Sequence, residues 1–568
     1  MTNAKWKAPI SSCFILHSSL FVLVFALSLG LRLIARDVAI TADEDNWMKR
    51  AGGFAFGLLN AQLGRTYQNG HPAVTTMWVA TLTLGPERMV QYSRRVDNQR
   101  FVGRVAGFWE ALIAARVGFA VVTAGLVGLI SLLTWRLLGP WPGLFAGLVA
   151  GLEPFYLAIS QLVHMDAILS GCMVASVLAA LVGWSEPGGR RWMAVSGVLA
   201  GLALLSKSPA AFLLLFVPVL GVVSNLTPHP PSHKGRGIRP PLPLWEGGLG
   251  GLGLDLLVWG LALAVTVVGL WPAIWVLGPW EVLGRVVSFA RETGGQPHEG
   301  GSFFWGEPRP EPGPLFYPVA LAFRLAPLTM LGIVLLAATW RQLPIGSRRV
   351  VLALVAYSLG FLAMMTLGAK KFDRYLLPIF PALGVIAALG LWTAIVNLTS
   401  QPASLNGRAG LLNSPPFPSG KGARGLGICI LVALVALWPL AASYPYYLSY
   451  YNPLLGGGAA AQRTVMVGNG EGLDQVAKWL NARPDAENLW VVSHSFDILQ
   501  PLIVGSGEPL RDRVPPNADY VVLYRFQIQV AHGPRVLAEY LERHTSELTV
   551  WVDGIEYARV YRGPHLAS

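Results

Sequence analysis

Apolar residues run in long unbroken stretches through the first 443 positions. They lie at Phe14 to Leu33 and near 108–133, 141–159, 167–184, 192–206, 209–225, 254–277, 315–338, 350–368, 375–397 and 426–443. Each approaches the length of a bilayer-crossing helix, so the pattern predicts about eleven spans. The first run follows Lys5 and Lys7 and has no small-x-small cleavage site behind it, which reads as a retained signal anchor. Beyond 443 the periodicity changes. Gly472 to Asn481 and Pro534 to Arg543 repeat as helices, whereas Leu489 to Val492, Tyr520 to Tyr524, Leu548 to Val552 and Tyr557 to Tyr561 read as strands. The expected fold is an α-helical polytopic membrane protein, residues 1–443, with a small extracytoplasmic α/β domain, 444–568.

Composition agrees with this class. The chain has 568 residues, 53% hydrophobic and only 13% charged, with a mean hydropathy of +0.49, which excludes a solvated globular enzyme. The net charge of +12 could indicate a nucleic-acid partner. Its basic residues fall in short loops instead: Arg136, Arg190, Arg191, Lys234, Arg236, Arg239, Arg341, Arg348, Arg349, Arg408, Lys421 and Arg424. The positive-inside rule then sets a cytoplasmic amino terminus in a cell membrane, with the carboxyl-terminal domain and two long segments, 35–107 and 278–314, outside.

The inner inserts 226–253 and 398–425 are rich in Pro and Gly and related in sequence. Two similar low-complexity inserts in unconnected loops read as sequence expansions, since added loop length costs little. The three cysteines, Cys13, Cys172 and Cys429, fall in apolar runs and imply no disulfide framework. The sequons at Asn225 and Asn397 lie on the inner side or within spans and read as chance matches. In the outer domain His494 and Asp497 lack a nucleophile or metal-ligand spacing, which favours a scaffolding or acceptor-binding role for this domain.

Polar residues gather at the outer ends of the spans. They are Asp43, Glu44 and Asp45, then His71 with Arg116 just inside the next span, then His164 and Asp166, then Lys207, and finally Lys370, Arg374 and Tyr375. A Lys or Arg at a span end ordinarily snorkels to headgroups. Carboxylates and cations on four separate connections of one face instead suit a pocket for an anionic lipid headgroup and a nucleophile to be deprotonated.

The phrases TADEDNW, GHP, AARVGF, HMDAILS, GLALLSKSPA and AKKFDRYLLPIFPAL, in this order over residues 14–400, resemble the GT-C membrane glycosyltransferases. The likeness is strongest to the protein O-mannosyltransferase and lipid A aminoarabinose transferase group, and SYPYYLSYYNPLLGG at 443–457 looks like the close of bacterial members. The resemblance implies a hexosyl- or pentosyltransferase that takes a sugar from a polyprenyl phosphate and passes it to a protein, lipid or glycan acceptor on the outer face. It also implies that the first-loop acid pair, Asp43 and Glu44, supplies the base. The chemistry fits, because inversion at an anomeric carbon needs a base on the acceptor side and positive charge at the departing phosphate. Asp43 is the candidate base and Glu44 orients acceptor or sugar. Lys207, Lys370 and Arg374 hold phosphate. Arg116 binds substrate or instead orients an acid, Asp166 fixes sugar hydroxyls or Arg116, with His164 and His71 as hydrogen-bonding neighbours, and Tyr375 touches the phosphate or first isoprene.

Asp43, Glu44, His164 and Asp166 could also ligate a divalent cation, as distant GT-C members do. A monophosphate leaving group makes fixed cations sufficient, so no cofactor is expected. The loop at 291–317 reads as a cover that keeps water from the donor, with His298, Trp305 and Tyr317 as candidate substrate contacts. The competing class is a polytopic transporter or lipid flippase. Such proteins set polar groups near the midplane, and often show internal repeats; here the charges hug one face.

Overall fold

The computed structural model describes residues 10–38, 41–98, 107–186, 188–226, 248–298, 300–399 and 422–567. Most of both low-complexity inserts therefore lies outside the described residues, as do Lys234, Arg236, Arg239, Arg408 and Lys421 and the side chains of Cys13, Cys429, Asn225 and Arg424. Cys172 is buried and unpaired.

Every predicted apolar run overlies a helix. Among the described residues five helices are long and apolar enough to cross a membrane: Phe108–Leu138, Asp166–Ser185, Gly251–Leu270, Ile345–Thr366 and Asp373–Leu398. Two bent pairs bring the number to seven, Pro140–Leu152 with Pro154–Ser160 at 68° and Phe316–Arg324 with Pro327–Gln342 at 107°. The remaining runs form shorter helices or helices only partly described, so length alone supports fewer spans than the eleven expected. Proline explains both bends. It opens the second helix of each pair, where its missing N–H is tolerated but its ring prevents continuation from the turn before.

Asp166–Ser185 is the central helix, buried from Asp166 to Trp184. Ala, Gly and Ser make up much of it, and small side chains let neighbouring helices approach closely where lipid supplies no hydrophobic drive. The same device joins Pro327–Thr339 to Phe380–Thr399, where a Cβ on Gly390 would lie 2.0 Å from the Gly332 carbonyl oxygen.

The helices also orient the charges. Arg190 begins the 17-residue helix Arg190–Ser206 and Lys207 follows its end, so the two lie about 25 Å apart along the axis. Arg136 and Arg116 occupy opposite halves of Phe108–Leu138 in the same way. Arg136 pairs with Glu186 at 2.6 Å and Arg190 with Asp255 at 3.5 Å, at the helix ends opposite Arg116 and Lys207.

The two long segments expected outside are less irregular than their polarity suggests. Residues 35–107 contain helices Ala42–Leu59, Val74–Leu84 and Pro86–Asn98, and 278–314 contains helix Pro279–Gly295 and the hairpin β1 (Ser302–Phe304) and β2 (Glu307–Arg309). Following the last apolar helix, Gly422–Ala442, comes a five-stranded sheet of β3 (Trp490–Ser493), β4 (Ser506–Pro509), β5 (Tyr520–Tyr524), β6 (Leu548–Val552) and β7 (Ile555–Arg562). Its order is β4-β3-β5-β7-β6, with β3 parallel to β4 and β5 and the other pairs antiparallel. Strand β4, Ser-Gly-Glu-Pro, carries no strand signal in its sequence; pairing with β3 holds it.

Candidate active site

Helix Ala42–Leu59 starts at the acidic triplet, and successive helical side chains point about 100° apart. The three carboxylates therefore part company. Asp43 faces the 369–375 loop, its Oδ2 lying 2.8 Å from Arg374 Nη1 and 3.6 Å from His164 Nε2. Glu44 turns into the core and is fully buried. It accepts from Arg116 Nε at 2.8 Å and Nη2 at 2.5 Å, from the Val163 N–H at 3.0 Å and from the Thr41 N–H at 3.1 Å. Asp45 pairs with Lys49 one turn on, at 2.6 Å.

A second carboxylate, Asp166, opens the central helix, where the helix dipole favours negative charge. Lys207 donates to its Oδ1 at 2.8 Å and also lies 4.2 Å from the centre of the Tyr375 ring. Arg374 Nε stands 3.9 Å from Asp166 Oδ2. His164 lies between the two carboxylates. Its Nδ1 accepts the Asp166 backbone N–H at 3.2 Å, which leaves the ring proton on Nε2, facing Asp43.

His71 is brought in by its backbone neighbours. The Ala73 N–H donates to the Ser206 carbonyl at 3.0 Å and Thr75 bonds Ser206 through their hydroxyls at 2.7 Å, tying this loop to the turn that carries Lys207. Gly70 permits the approach, because a Cβ there would meet Phe289 at 2.0 Å. The His71 ring packs edge-on against the same Phe289, 4.8 Å between centres.

Asp166, Lys207, Lys370, Arg374, Tyr375 and His71 line one cleft of about 750 Å³, whose other wall includes Leu169, Phe361, Met364 and Met365. Three buried polar atoms on this lining have no hydrogen-bond partner among the described residues: Asp166 Oδ2, Arg374 Nε and His71 Nδ1. Buried polar atoms are normally satisfied, so their gathering in one cleft points to a polar ligand there. His164 instead borders a small recess on the other side of Arg374, with Thr41, Asp373, Leu448 and Asn469.

Arg116 and Glu44 bury their charged groups against each other. Arg116 thus meets an acid, the second of its two expected roles, and does not line this cleft, whereas the expectation that Glu44 faces acceptor or sugar is corrected. Within the expected cover, His298 packs edge-on against Phe372 at 5.0 Å and against Phe526 of the sheet region at 6.4 Å. Trp305 is exposed, with a left-handed φ of 54°, and Tyr317 is fully buried. In the sheet region His494 stacks on Phe526 and meets His532 at a tilt of 46°, away from the cleft lining, and Asp497 is exposed. Among the described residues no group of three His, Cys, Asp or Glu side chains is arranged to hold a metal ion. Asp43 and Asp166, with His164 between them, each already face a fixed cation.

Sequence reasoning missed Glu153 and Arg324. Each is a single charge at a break in an apolar run, a signal readable beforehand as Glu153-Pro154 and Arg324-Leu-Ala-Pro327. Glu153 accepts from the Ala326 N–H at 2.8 Å and the Thr329 hydroxyl at 2.5 Å, so one bend caps the helix that leaves the other.

Burial, with nearby Lys207 outweighing the opposing pull of Asp166, lowers the His71 pKa to about 3. The unfolded chain protonates this ring near 6.5, so acidification from there toward 3 destabilises the fold through His71. His71 is expected to remain neutral between pH 5 and 8. Histidine-selective ¹³C NMR, assigned with His71→Gln, checks this; a His71 signal titrating near its ordinary value contradicts it.

Residues 99–227, which carry Arg116, His164, Asp166 and Lys207, match the sequence profile of the family described as dolichyl-phosphate-mannose-protein mannosyltransferase. This segment, part of the helical body that lines the cleft, is therefore similar in sequence to that family. Among solved structures the chain is similar to ArnT from Cupriavidus metallidurans in the apo state, at 16% identity and a TM-score of 0.48 over 96% of this chain and 98% of that one. ArnT bound to undecaprenyl phosphate gives 13% identity and 0.42 over 97% and 98%. The oligosaccharyltransferase AglB from Archaeoglobus fulgidus, in complex with an inhibitory peptide and a dolichol-phosphate, gives 13% and 0.42 over 89% and 69%. No curated protein sequence matches the chain.

Proposed function

We propose that the protein moves a sugar from a polyprenyl-phosphate donor to an acceptor on the outer face of the cell membrane, with inversion. The observation that carries this reading is the union of a cationic cleft with an apolar groove. The cleft shares Ser208 and Ala290 with a groove of about 1380 Å³ between helices Arg190–Ser206, Gly248–Leu270 and Pro279–Gly295, lined by Leu204, Leu263, Val267, Trp271 and Val286 among others. A phosphate held by Lys207, Lys370 and Arg374 leaves its isoprenoid tail to this groove. Tyr375, stacked on Lys207, sits at the junction of phosphate and first isoprene.

In this reading Asp43 takes the proton of the acceptor hydroxyl while the three cations stabilise the phosphate that departs. Burial opposes ionisation of Asp43, but the Arg374 guanidinium, helped by His164 and Lys207, outweighs it and holds the carboxyl well below the ordinary range. Asp43 is thus ionised at any working pH yet a poor base. Donor phosphate engaging Arg374 loosens that pair and raises the basicity of Asp43, so the base is armed when the donor is in place. Neutral His71 and the second oxygen of Asp166 hydrogen-bond sugar hydroxyls. Glu44 and Arg116 hold the helix that carries the base. The 1–443 body is the catalytic unit, and residues 444–568, outside with the acceptor, cover it. The amino terminus is cytoplasmic.

Purified protein in liposomes is expected to transfer sugar from a polyprenyl-phosphate donor and to remain at background with nucleotide sugars. Equal use of a nucleotide sugar would contradict the donor assignment. Activity is expected to survive EDTA, since fixed cations meet the phosphate; loss restored by Mn²⁺ or Mg²⁺ assigns that task to a metal.

A further inference from the structure

We propose that Arg324 is the positioning residue for the phosphate site, through which the carboxyl-terminal region holds Arg374 in place. This rests on reading the cleft as a phosphate site. Arg324 ends helix Phe316–Arg324 at the 107° bend and is 2% exposed. A cation in such a place is costly unless it is paired and hydrogen-bonded. Each of its three nitrogens has a partner, and four of its five N–H groups donate hydrogen bonds. Nε and Nη2 both meet Asp373 Oδ2 at 2.7 Å. Nη1 donates to the carbonyls of Leu448 at 2.8 Å and Tyr450 at 2.7 Å, and Nη2 to the Tyr451 hydroxyl at 2.8 Å. Its guanidinium also lies 3.8 Å from the centre of the Tyr451 ring and 4.4 Å from that of Phe155.

Both ends of this arrangement lead somewhere functional. On one side, Asp373 Oδ1 accepts the backbone N–H of Arg374 at 2.7 Å, so the carboxylate gripped by Arg324 also sets the turn from which Arg374 reaches Asp43. On the other, the Leu448–Tyr451 segment is joined to the sheet region by a hydrogen bond between Ser449 Oγ and Asp553, in the turn between β6 and β7. Asn452 pins the same segment to the bend, donating to the Leu325 carbonyl at 2.9 Å. The planar fork of an arginine suits this simultaneous grip on a carboxylate, two carbonyls and a hydroxyl; a lysine has three donors from one point and cannot reproduce it. Arg324 does not line the cleft, so it acts on the donor through Arg374 alone.

The expected consequence is a defect in donor binding more than in chemistry. Asp373→Asn cuts the link to the phosphate loop and Tyr451→Phe cuts one link to the carboxyl-terminal region; the two side chains meet through Arg324. In the full-length protein, titrated with polyprenyl phosphate by tryptophan fluorescence and assayed for transfer, Asp373→Asn should raise Kd and donor KM about tenfold with kcat within about threefold. Tyr451→Phe should raise them about threefold, and the double variant should match Asp373→Asn instead of multiplying to about thirtyfold, because both changes release the same arginine. Arg324→Lys should resemble the double variant while retaining the wild-type elution volume. Multiplicative effects, or lowered thermal stability with unchanged Kd and KM, overturn the coupling. If wild-type protein itself shows no affinity for polyprenyl phosphate, the phosphate reading of the cleft falls and the proposal with it.

Discussion

Asp43→Asn is expected to lower sugar transfer by about 10²- to 10⁴-fold, the usual contribution of a positioned general base. Binding of polyprenyl phosphate should persist, because Arg374, Lys207 and Lys370 are untouched. The paired control is Asp45→Asn. Asp45 sits two residues on, but its carboxylate is held by Lys49 on the flank of the helix, so transfer should stay within about threefold of wild type. Asn at 43 is nearly isosteric and still accepts from Arg374, so the protein should insert and fold. Because the pairing with Arg374 holds the Asp43 pKa well below the ordinary value, the ion pair contributes stability above pH 4 and loses it only under strong acid. An acid limb of kcat/KM between pH 5 and 7 therefore belongs to another group. Full transfer by Asp43→Asn would end its assignment as base and return the choice to the neighbouring acids.

The second large effect separates stability from chemistry. Glu44→Ala or Arg116→Ala leaves an uncompensated charge in a site where both partners are within 1% of full burial, and removing one partner of such a pair costs about 3–5 kcal/mol. Each variant should show a lowered unfolding temperature in detergent and reduced yield, whereas Asp43→Asn should not. Replacing both with apolar residues of similar volume should recover much of the stability, since neither charge is then stranded. Normal stability with selective loss of transfer in Glu44→Gln would assign Glu44 a direct role at the acceptor.

These contrasts show how a contiguous triplet in sequence becomes three roles in space. One carboxylate faces Arg374, one faces the core and one faces a helical neighbour, because each residue turns the side chain by about 100°. The choice of Asp43 over Asp45 rested on motif register alone in the sequence. In the fold it rests on which of the two reaches Arg374.

The reverse holds for Arg324. In sequence it is one arginine in an apolar run, with the dull reading of a span-end cation. Its partners come from residues 373 and 448–451, as many as 127 positions away, and no local pattern encodes contacts of that range.

What the sequence determined by itself is the membrane class, the α/β character of the carboxyl-terminal region and the set of polar residues at one end of the helices. These follow from hydrophobic run length, from periodicity and from helix direction, all of which are local properties. The tertiary structure decided the rest: which of those polar residues share a cleft, which carboxylate is consumed by a buried pair, and how the sheet region is tied to the 369–375 loop. Those depend on helix bends and on long-range packing, because a side chain's role is set by what it meets, and here the decisive partners come from distant parts of the chain.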